Sequence, residues 1–275
     1  MEKPNDLRTF KLTLAYIGTN YRGWQKQAED FPLPTVQEVL EIAVKKIVGE
    51  QKFFMHGSGR TDAGVHGRAQ VAHLRITSKL PVERLLLALN RHLPDDVRII
   101  NLEEMPAKFH AQLDVNAKTY RYFVLHSLDQ KQQVNWPFLR NYTWYVSYPL
   151  DLDKMRHALG QLVGIHDFKS FQNRGTPLPS TVREILAVEL SSHRFGQSAF
   201  PWLPPPELNC ELLEFRLRGT GFLKQMVRTI VGTVVEIGRG KLAPEAMGDI
   251  LAQKNREASG ITAPANGLFL DQVEY

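Results

Sequence analysis

The chain has 275 residues, of which 43% are hydrophobic and 23% charged, a balance typical of a folded globular protein and not of a disordered or fibrous one. Lys and Arg number 34 against 29 Asp and Glu, and the resulting formal charge of +5 is compatible with a polyanionic partner without requiring one. A single cysteine, Cys210, excludes an intramolecular disulfide and a cysteine-based zinc site.

The first part of the chain alternates strands and helices. Residues 10–16 alternate in polarity, which predicts a strand that runs into the loop 17–25. Thr35 and Glu38 form a capping-box pattern that predicts a helix ending at Gly49. Further along, the pattern predicts a short strand over 52–56, a glycine-rich loop, a strand over 69–76 and a helix over about 81–93.

The second part of the chain shows the same alternation. The pattern predicts strands over 119–125, 182–190 and 212–218, and a helix over 152–163 that ends at Gly164. The strongest helical pattern covers 222–237 and stops at Gly238. Its apolar residues form one stripe along the helix: Leu223, Met226, Val227, Ile230, Val231 and Val234.

An internal similarity indicates a duplication. The stretches 79–93 and 241–254 both begin with Lys-Leu, contain an early proline and continue with a helical pattern. Direct steps from strand to strand beside helices favour an α+β fold. We expect two related α/β halves, 1–105 and 106–275, forming a largely antiparallel mixed sheet flanked by helices, with the active-site cleft between the halves. The segment 195–207 carries four prolines and is expected to be a surface loop.

The glycine-rich loop 57–67 combines four glycines with an acid and two bases. It has the Gly-x-x-x-x-Gly spacing of a phosphate-binding loop, but Val65 and His66 stand where Lys and Ser or Thr are needed, which excludes that nucleotide site. Glycines allow a close approach to a ligand, and an Asp kept ionised by a neighbouring Arg can attack carbon. Judged on this loop alone, the favoured interpretation is that Asp62 caps a turn and forms an ordinary salt bridge with Arg60.

A metal site is a further interpretation of the same loop. Asp62 and His66, with His73, would then serve a metal-dependent hydrolase. However, the nine histidines include no His-Glu-x-x-His pair, and no spacing typical of a metal site supports this interpretation. We therefore expect no metal.

Six segments in order resemble the tRNA pseudouridine synthase A family over nearly the whole chain. The stretch GSGRTDAGVHGRAQVAHL at 57–74 is similar to the family's catalytic motif. The other five match its first strand and loop, its tyrosine-bearing strand and three later segments: YIGTNYRGWQKQ at 16–27, KTYRYFV at 118–124, GIHDFKSF at 164–171, GFLKQMVRTIVG at 221–232 and TAPANGLFL at 262–270. Lys224 departs from the family, which often has an aromatic residue there, and the proline-rich segment is longer than expected.

The resemblance implies an isomerase that converts uridine to pseudouridine in the anticodon arm of tRNA, at tRNA positions 38–40, without a cofactor. A stacked base is out of reach of protein side chains, so the target uridine must be flipped out of the stack. The resemblance also implies a homodimer that contacts one tRNA with both subunits. The alternative is a catalytically idle tRNA-binding protein or RNA chaperone on the same scaffold.

The resemblance implies roles for individual residues. Asp62 is the expected nucleophile, in the first half. In the second half, Tyr120 is expected to stack on the flipped uracil, and Arg228 is expected to pair with Asp62. Without the resemblance, Tyr120 is interpreted as a core aromatic residue of a half-buried strand. From spacing alone, Arg228 fits a solvent-facing helix residue equally well. Arg60 is expected to serve base flipping and phosphate contact, and Asp167 to order its loop. Further RNA contacts are expected from basic or aromatic residues near the motif loops: Tyr21, Arg22, Lys26, Arg68 and Arg121.

The chain shows no targeting or membrane pattern. The first residues lack the apolar stretch of a secretory signal, and no apolar run reaches membrane-spanning length. We therefore expect a cytoplasmic protein without membrane contact.

Overall fold

The computed structural model describes residues 7–26, 32–129, 135–173, 178–196 and 200–275. The chain divides into two compact units, one made of Met1–Asn116 with Leu270–Tyr275 and the other of Ala117–Phe269. Compactness does not show that two units are related by duplication. The predicted halves, 1–105 and 106–275, therefore stay a prediction.

The first unit is built on hydrogen-bonded strands. They are β1 (Leu7–Tyr16), β2 (Phe54–Gly57), β3 (His66–Thr77), β4 (Val97–Met105) and β10 (Leu268–Glu274), which belongs to this unit from Leu270 onwards. Strand β1 pairs with β3 and β4, and β2 pairs with β3, all antiparallel. Strand β10 follows β3 in the sheet order. Alternation along β1 buries Phe10, Leu12 and Leu14 completely, so this face of the strand belongs to the core.

Two helices cover the core of the first unit, α1 (Val36–Val48) and α2 (Val82–Arg91). At the start of α1 the Thr35 hydroxyl accepts the Glu38 N–H at 3.2 Å, and the Glu38 carboxylate accepts the Thr35 N–H at 2.7 Å. The predicted capping box is therefore confirmed, and it satisfies two N–H groups that the helix itself cannot. The apolar faces of the two helices join the core formed by β1 and β3.

The second unit has a mixed sheet. Its strands are β5 (Ala117–Ser127), β6 (Trp144–Val146), β7 (Gly164–Asp167), β8 (Val182–Arg194) and β9 (Cys210–Gly219). The order β5–β9–β8–β7 is antiparallel throughout, whereas β6 runs parallel to β5. One parallel pair in an otherwise antiparallel arrangement makes this sheet mixed.

Three helices accompany the second unit: α3 (Leu152–Gly160), α4 (Met226–Gly238) and α5 (Ala246–Gln253). Every residue of α4 is buried except Arg228 and Glu236, so α4 is a core helix and its apolar surface extends beyond the predicted stripe. Within the described ranges, no helix has the length and hydropathy needed to cross a membrane.

The predicted fold class is confirmed. Each unit combines antiparallel strands with helices, and the largely antiparallel mixed sheet flanked by helices is the α+β arrangement expected from the sequence. Strands β4, β6, β7 and β10 were not predicted. The stretches with the internal similarity contain α2 and α5, so the helical pattern predicted for both is confirmed.

Several predicted boundaries are wrong, among them the start of β1, at Leu7 instead of residue 10, and the end of β8, at Arg194 instead of residue 190. Helix α4 begins at Met226 and not at residue 222, because Gln225 adopts a left-handed φ of 62° that a helix cannot continue through. Helix α3 ends at Gly160, after which tighter three-residue turns lead to Gly164 with a φ of 107°. Strand β3 begins at His66, three residues before the predicted start.

The proline-rich segment 195–207 is a loop in its described part. Residues 195–196 and 200–207 contain neither helix nor strand, and residues 197–199 lie outside the described residues. Phe200 and Trp202 are half exposed, and the Trp202 carbonyl oxygen accepts the Trp136 indole N–H at 2.7 Å. The expected surface loop is therefore confirmed for the part that the structure describes.

Candidate active site

The glycine-rich loop of the first unit joins β2 to β3 and presents two charged side chains. From Arg60 to Asp62 its backbone is neither helix nor strand, and it turns at residues 63–64. Thr61 is 7% exposed, whereas Arg60 is exposed and Asp62 is half-buried. The loop therefore buries its central residue and leaves both charged neighbours accessible.

Two glycines allow neighbouring segments to pack closely against this loop. Gly23 has a φ of 96°, and a Cβ added there would lie 2.4 Å from the Thr61 carbonyl oxygen. The same oxygen accepts the Trp24 N–H at 3.2 Å. A Cβ at Gly57 would lie 2.3 Å from the Trp24 indole nitrogen. A side chain at either glycine would separate the loop from Trp24, so glycine is required by close approach.

Side-chain hydrogen bonds hold the loop on its buried side. The Tyr16 and Thr61 hydroxyl groups are hydrogen-bonded at 2.9 Å. The Gln70 amide donates to the Gly59 carbonyl oxygen at 3.0 Å, and the Ser58 hydroxyl donates to the Gln70 carbonyl oxygen at 2.8 Å. These bonds replace the backbone ladder that would fix a strand at this point.

The two histidines considered for a metal site accept hydrogen bonds from backbone N–H groups. His66 is 1% exposed, and its Nδ1 accepts the Gly18 N–H at 3.1 Å. His73 is fully buried, and its Nδ1 accepts the Ala111 N–H at 3.1 Å. In the part of the chain that the structure describes, no group of three or more His, Cys, Asp and Glu side chains could hold a metal ion.

In the second unit, two tyrosines of β5 share one strand face but differ in burial. Tyr120 is half-buried, and its ring meets that of Phe222 edge-to-face with centroids 5.0 Å apart. Tyr122 is fully buried, and its hydroxyl donates to the Pro264 carbonyl oxygen at 2.7 Å. Burial raises the pKa of Tyr122. Of the two rings, only that of Tyr120 remains accessible for contact with a substrate.

Arg228 projects from the buried helix α4 and is tied to a distant loop. Its Nε donates to the Ala263 carbonyl oxygen at 2.7 Å, and the Ala263 N–H donates to the Arg228 carbonyl oxygen at 3.1 Å. One turn further along α4, a Cβ at Gly232 would lie 1.9 Å from the Ile261 carbonyl oxygen. Helix and loop are thus in direct backbone contact, which fixes the direction of the guanidinium group.

Comparison with known proteins gives matches along nearly the whole chain. A family model described as tRNA pseudouridine synthase matches residues 13–114 and 158–275. The tRNA pseudouridine synthase A of Thermoanaerobacter sp. is 37% identical over 98% of this chain and 100% of its own length. Those of Bacillus pumilus and Moorella thermoacetica are each 41% identical over 96% of this chain and 98% of their own length. The chain belongs to the tRNA pseudouridine synthase A family.

Among solved structures, that of an H/ACA RNP bound to a substrate RNA containing 2'-deoxyuridine covers 82% of this chain and 44% of its own chain. It has a TM-score of 0.32 and is 13% identical. Membership of the tRNA pseudouridine synthase A family therefore rests on the sequence relatives.

The predicted enzyme class, an isomerase of the pseudouridine synthase type, is confirmed by this membership. The ranges matched by the tRNA pseudouridine synthase family model include Asp62 and Arg228 and leave out Tyr120. The catalytic roles of these three residues stay predictions.

Three of the RNA contacts predicted from the resemblance to this synthase family lie at the surface of the first unit. Arg60 and Lys26 are exposed, and the Lys26 ammonium is 3.9 Å from the Glu41 carboxylate. Arg68 is exposed and pairs with Asp271 at 2.8 Å. The Lys26 pair is weak because its cation is exposed, so Lys26 can exchange Glu41 for a phosphate group. The Asp271 side chain is only 4% exposed, so its pair with Arg68 is held more firmly.

The other predicted RNA contacts are more enclosed. Arg22 is half-buried, and the half-buried Arg121 pairs with Glu214 at 3.2 Å. Tyr21 is 4% exposed, and its hydroxyl donates to the Asp96 carboxylate. Tyr21 is thus part of the hydrophobic core and offers little ring surface to an RNA.

Asp167 orders its loop, as expected from the sequence. Its Oδ1 accepts the Lys169 N–H at 3.2 Å and also accepts the Thr181 hydroxyl. Its Oδ2 pairs with the Lys254 ammonium at 3.1 Å. Asp167 therefore joins the segment after β7 to the residues just before β8 and just after α5.

Sequence reasoning missed Gln70, Ser58 and Lys118. Gln70 and Ser58 are completely buried beneath the glycine-rich loop. A glutamine among apolar residues of a strand was the available indication, since a polar group in a core requires a hydrogen-bond partner. Lys118 precedes Tyr120 by two residues on the same strand face, and burial lowers the pKa of its ammonium group to about 8.

Proposed function

We propose that this enzyme isomerises uridine to pseudouridine in the anticodon arm of tRNA, at positions 38–40, with Asp62 as the nucleophile on a flipped-out uridine. The observation that carries the proposal is the near full-length identity to relatives named tRNA pseudouridine synthase A. The loop geometry supports the choice of nucleophile, because Asp62 is accessible on a backbone held by buried contacts.

The reaction is redox-neutral and conserves all atoms of the uridine. The bond between N1 of the base and C1′ of the ribose breaks, the uracil turns, and C5 joins C1′. The proton on C5 leaves, and N1 gains a proton. The Asp62 carboxylate attacks either C1′ or C6 of the base, and in both cases it must be ionised and must leave again.

The other proposed roles follow from the chemistry of the side chains. Tyr120 stacks on the flipped uracil, and such stacking is worth about 1–3 kcal/mol per base. Its hydroxyl relays the C5 proton. Arg228 keeps the Asp62 carboxylate ionised, because an opposite charge favours the charged form.

Recognition of the tRNA uses its phosphate groups. Arg60 assists base flipping, and Lys26 and Arg68 contact phosphates with contributions from Arg22 and Arg121. Phosphate contacts release counterions, so tRNA affinity falls steeply as the salt concentration rises. The enzyme acts as a homodimer in the cytoplasm, without a cofactor.

The decisive experiment uses tRNA transcripts whose uridines carry tritium at C5, because only a reaction that breaks the C5–H bond releases the label. We expect the purified enzyme to release tritium from such a transcript. A matched transcript with cytidine in place of the anticodon-arm uridines at positions 38–40 should release none.

Three outcomes contradict the proposal. Binding of the tRNA without tritium release identifies an idle tRNA-binding protein. Release that a chelator abolishes identifies metal-dependent chemistry. Equal release from both transcripts would place the target outside the anticodon arm.

A further inference from the structure

Four polar side chains form a buried cluster under the glycine-rich loop. Ser58 and Gln70 are completely buried, Tyr16 is 4% exposed and Thr61 is 7% exposed. Burying such groups is unfavourable unless each finds a partner. Tyr16 also belongs to the hydrophobic core of this unit, so its ring packs there while its hydroxyl joins the cluster.

The carboxamide of Gln70 is the centre of this cluster. Its oxygen accepts the Ser58 hydroxyl at 2.8 Å and the Val71 N–H at 3.1 Å. Its nitrogen donates to the Gly59 carbonyl oxygen at 3.0 Å. The Tyr16 hydroxyl is hydrogen-bonded to both Thr61 and Gln70, which counteracts part of the increase in the pKa of Tyr16 that burial causes. Through these bonds, one side chain on β3 reaches both ends of the stretch 58–61.

The bonded residues alternate with the charged ones. Gly59 and Thr61 are held from below by Gln70 and Tyr16, whereas Arg60 and Asp62 extend to the accessible side. The cluster therefore fixes the backbone on both sides of Arg60 and immediately before Asp62. Backbone hydrogen bonds hold the two ends of this stretch, from the Ser58 N–H to the Val71 carbonyl oxygen at 2.7 Å and from the Trp24 N–H to the Thr61 carbonyl oxygen at 3.2 Å. The buried side chains add the contacts on its inner side.

We propose that Gln70 is a positioning residue for the reaction: its carboxamide sets the backbone from Ser58 to Thr61 and thereby the position of the Asp62 carboxylate. This inference rests on the proposed role of Asp62. A displacement of a reacting group by about 1 Å can reduce a rate by about 100-fold, so the cluster has a direct catalytic consequence. The position of Asp62 affects turnover, while tRNA binding depends mainly on the proposed phosphate contacts outside the stretch 58–61, those of Lys26 and Arg68.

The experiment compares Gln70→Met with a matched control, Asn90→Leu. Both changes replace a carboxamide by an apolar side chain of similar size. Asn90 makes two bonds to the Ile99 backbone, each of 2.9 Å, in the same unit but between α2 and β4. For each variant, kcat is measured by tritium release at saturating tRNA, Kd by filter binding, and Tm by circular dichroism. All rates are taken well below the lowest Tm.

We expect Gln70→Met to lower kcat by about 10- to 100-fold with an unchanged Kd for tRNA. Asn90→Leu should lose similar stability with an unchanged kcat. A kcat for Gln70→Met within about twofold of the wild type, or an equal fall in both variants, overturns the inference.

If Gln70→Met does not fold, Tyr16→Phe is used to test the inference instead, because it removes only the hydroxyl that joins Thr61 to Gln70. A reduced kcat with unchanged Kd then supports the inference, and an unchanged kcat overturns it. The wild-type enzyme is the separate test of the underlying function: if it releases no tritium, the proposed function fails, whatever the variants do.

Discussion

The loop that carries Asp62 and the elements that carry Tyr120 and Arg228 are built differently. Tyr120 lies on β5 and Arg228 on α4, so the backbone of each is fixed by regular hydrogen bonding to its own helix or to a neighbouring strand. Asp62 lies on irregular backbone that depends on Tyr16, Trp24 and Gln70. The loop therefore depends on a few individual contacts, whereas the strand and the helix are held by repeated backbone hydrogen bonds.

The largest expected effect is that of Asp62→Asn. The amide keeps the shape of the side chain but is no longer a nucleophile, so we expect turnover to fall by about 10⁴-fold or more, with normal folding and normal tRNA binding. Single-turnover tritium release measures the loss. Asp95→Asn, which removes the same charge from an exposed position of the same unit, should leave turnover unchanged. Near wild-type turnover of Asp62→Asn would remove this residue from the mechanism.

Substitutions of Tyr120 provide the corresponding test for a residue on a regular strand, β5. If its hydroxyl relays the C5 proton, Tyr120→Phe should be slower by about 10²–10⁴-fold while remaining stable and binding tRNA. Tyr120→Leu should in addition lose the stacking contact. Single-turnover rates and Tm, measured together, separate the cases: a fast Phe variant with a slow Leu variant indicates stacking alone.

Tyr122→Phe is the matched control for this pair. It removes a buried hydrogen bond to Pro264, so it should reduce stability by about 1–3 kcal/mol. Its Tm should therefore fall more than that of Tyr120→Phe. Full activity in both Tyr120 variants would exclude every active-site role given to that residue.

Gly23→Ala tests the dependence of the loop on distant contacts. Gly23 and Gly49 both have positive φ, 96° and 66°, but a Cβ at Gly49 meets nothing within 4 Å. We expect Gly49→Ala to lose about 1–3 kcal/mol of stability through backbone strain alone. Gly23→Ala adds a clash with the Thr61 carbonyl oxygen and should also lower turnover. Urea denaturation and tritium release check both. Equal effects of the two variants would mean that the close approach to Thr61 is not required.

The smallest expected effect is a difference in acid sensitivity. Burial and the neighbouring His110, Arg75 and His56 lower the pKa of His73 from 6.5 to about 4, although Asp114 acts in the opposite direction. The unfolded chain therefore binds the proton first as the pH falls. This stability contribution is complete above about pH 6.5 and is lost between about pH 6.5 and pH 4.

In the second unit, burial also lowers the pKa of His126, but the Glu211 carboxylate opposes the shift. We therefore expect the first unit to lose more stability in acid. His73→Asn supplies an acceptor for the Ala111 N–H and does not titrate, so its urea midpoint should vary less between pH 7 and pH 5 than that of the wild type. An unchanged pH dependence would show that His73 does not carry the effect.

Much of the fold was predictable because its determinants are local. The capping box at Thr35, the alternation along β1 and the apolar pattern of α4 each depend on residues a few positions apart. The Arg-Thr-Asp-Ala-Gly-Val-His motif and five further segments in order indicated the family, because each segment consists of residues adjacent in the chain. By contrast, the start of α4 depends on the left-handed backbone of Gln225, a conformation that a glutamine in the sequence does not predict.

What only the tertiary structure decided is the burial of similar residues. Tyr120 and Tyr122 lie on one strand face, yet Pro264 and Gly267 enclose Tyr122 while the Phe222 ring leaves Tyr120 partly accessible. Tyr21 looked like an RNA contact and lies in the core. Gln70 looked like an ordinary strand residue and is the centre of the cluster beneath Asp62. Sequence by itself determined the family and those helices and strands whose pattern depends on neighbouring residues, but not β4, β6, β7 and β10. Burial depends on contacts between residues far apart in the chain, which only folding brings together.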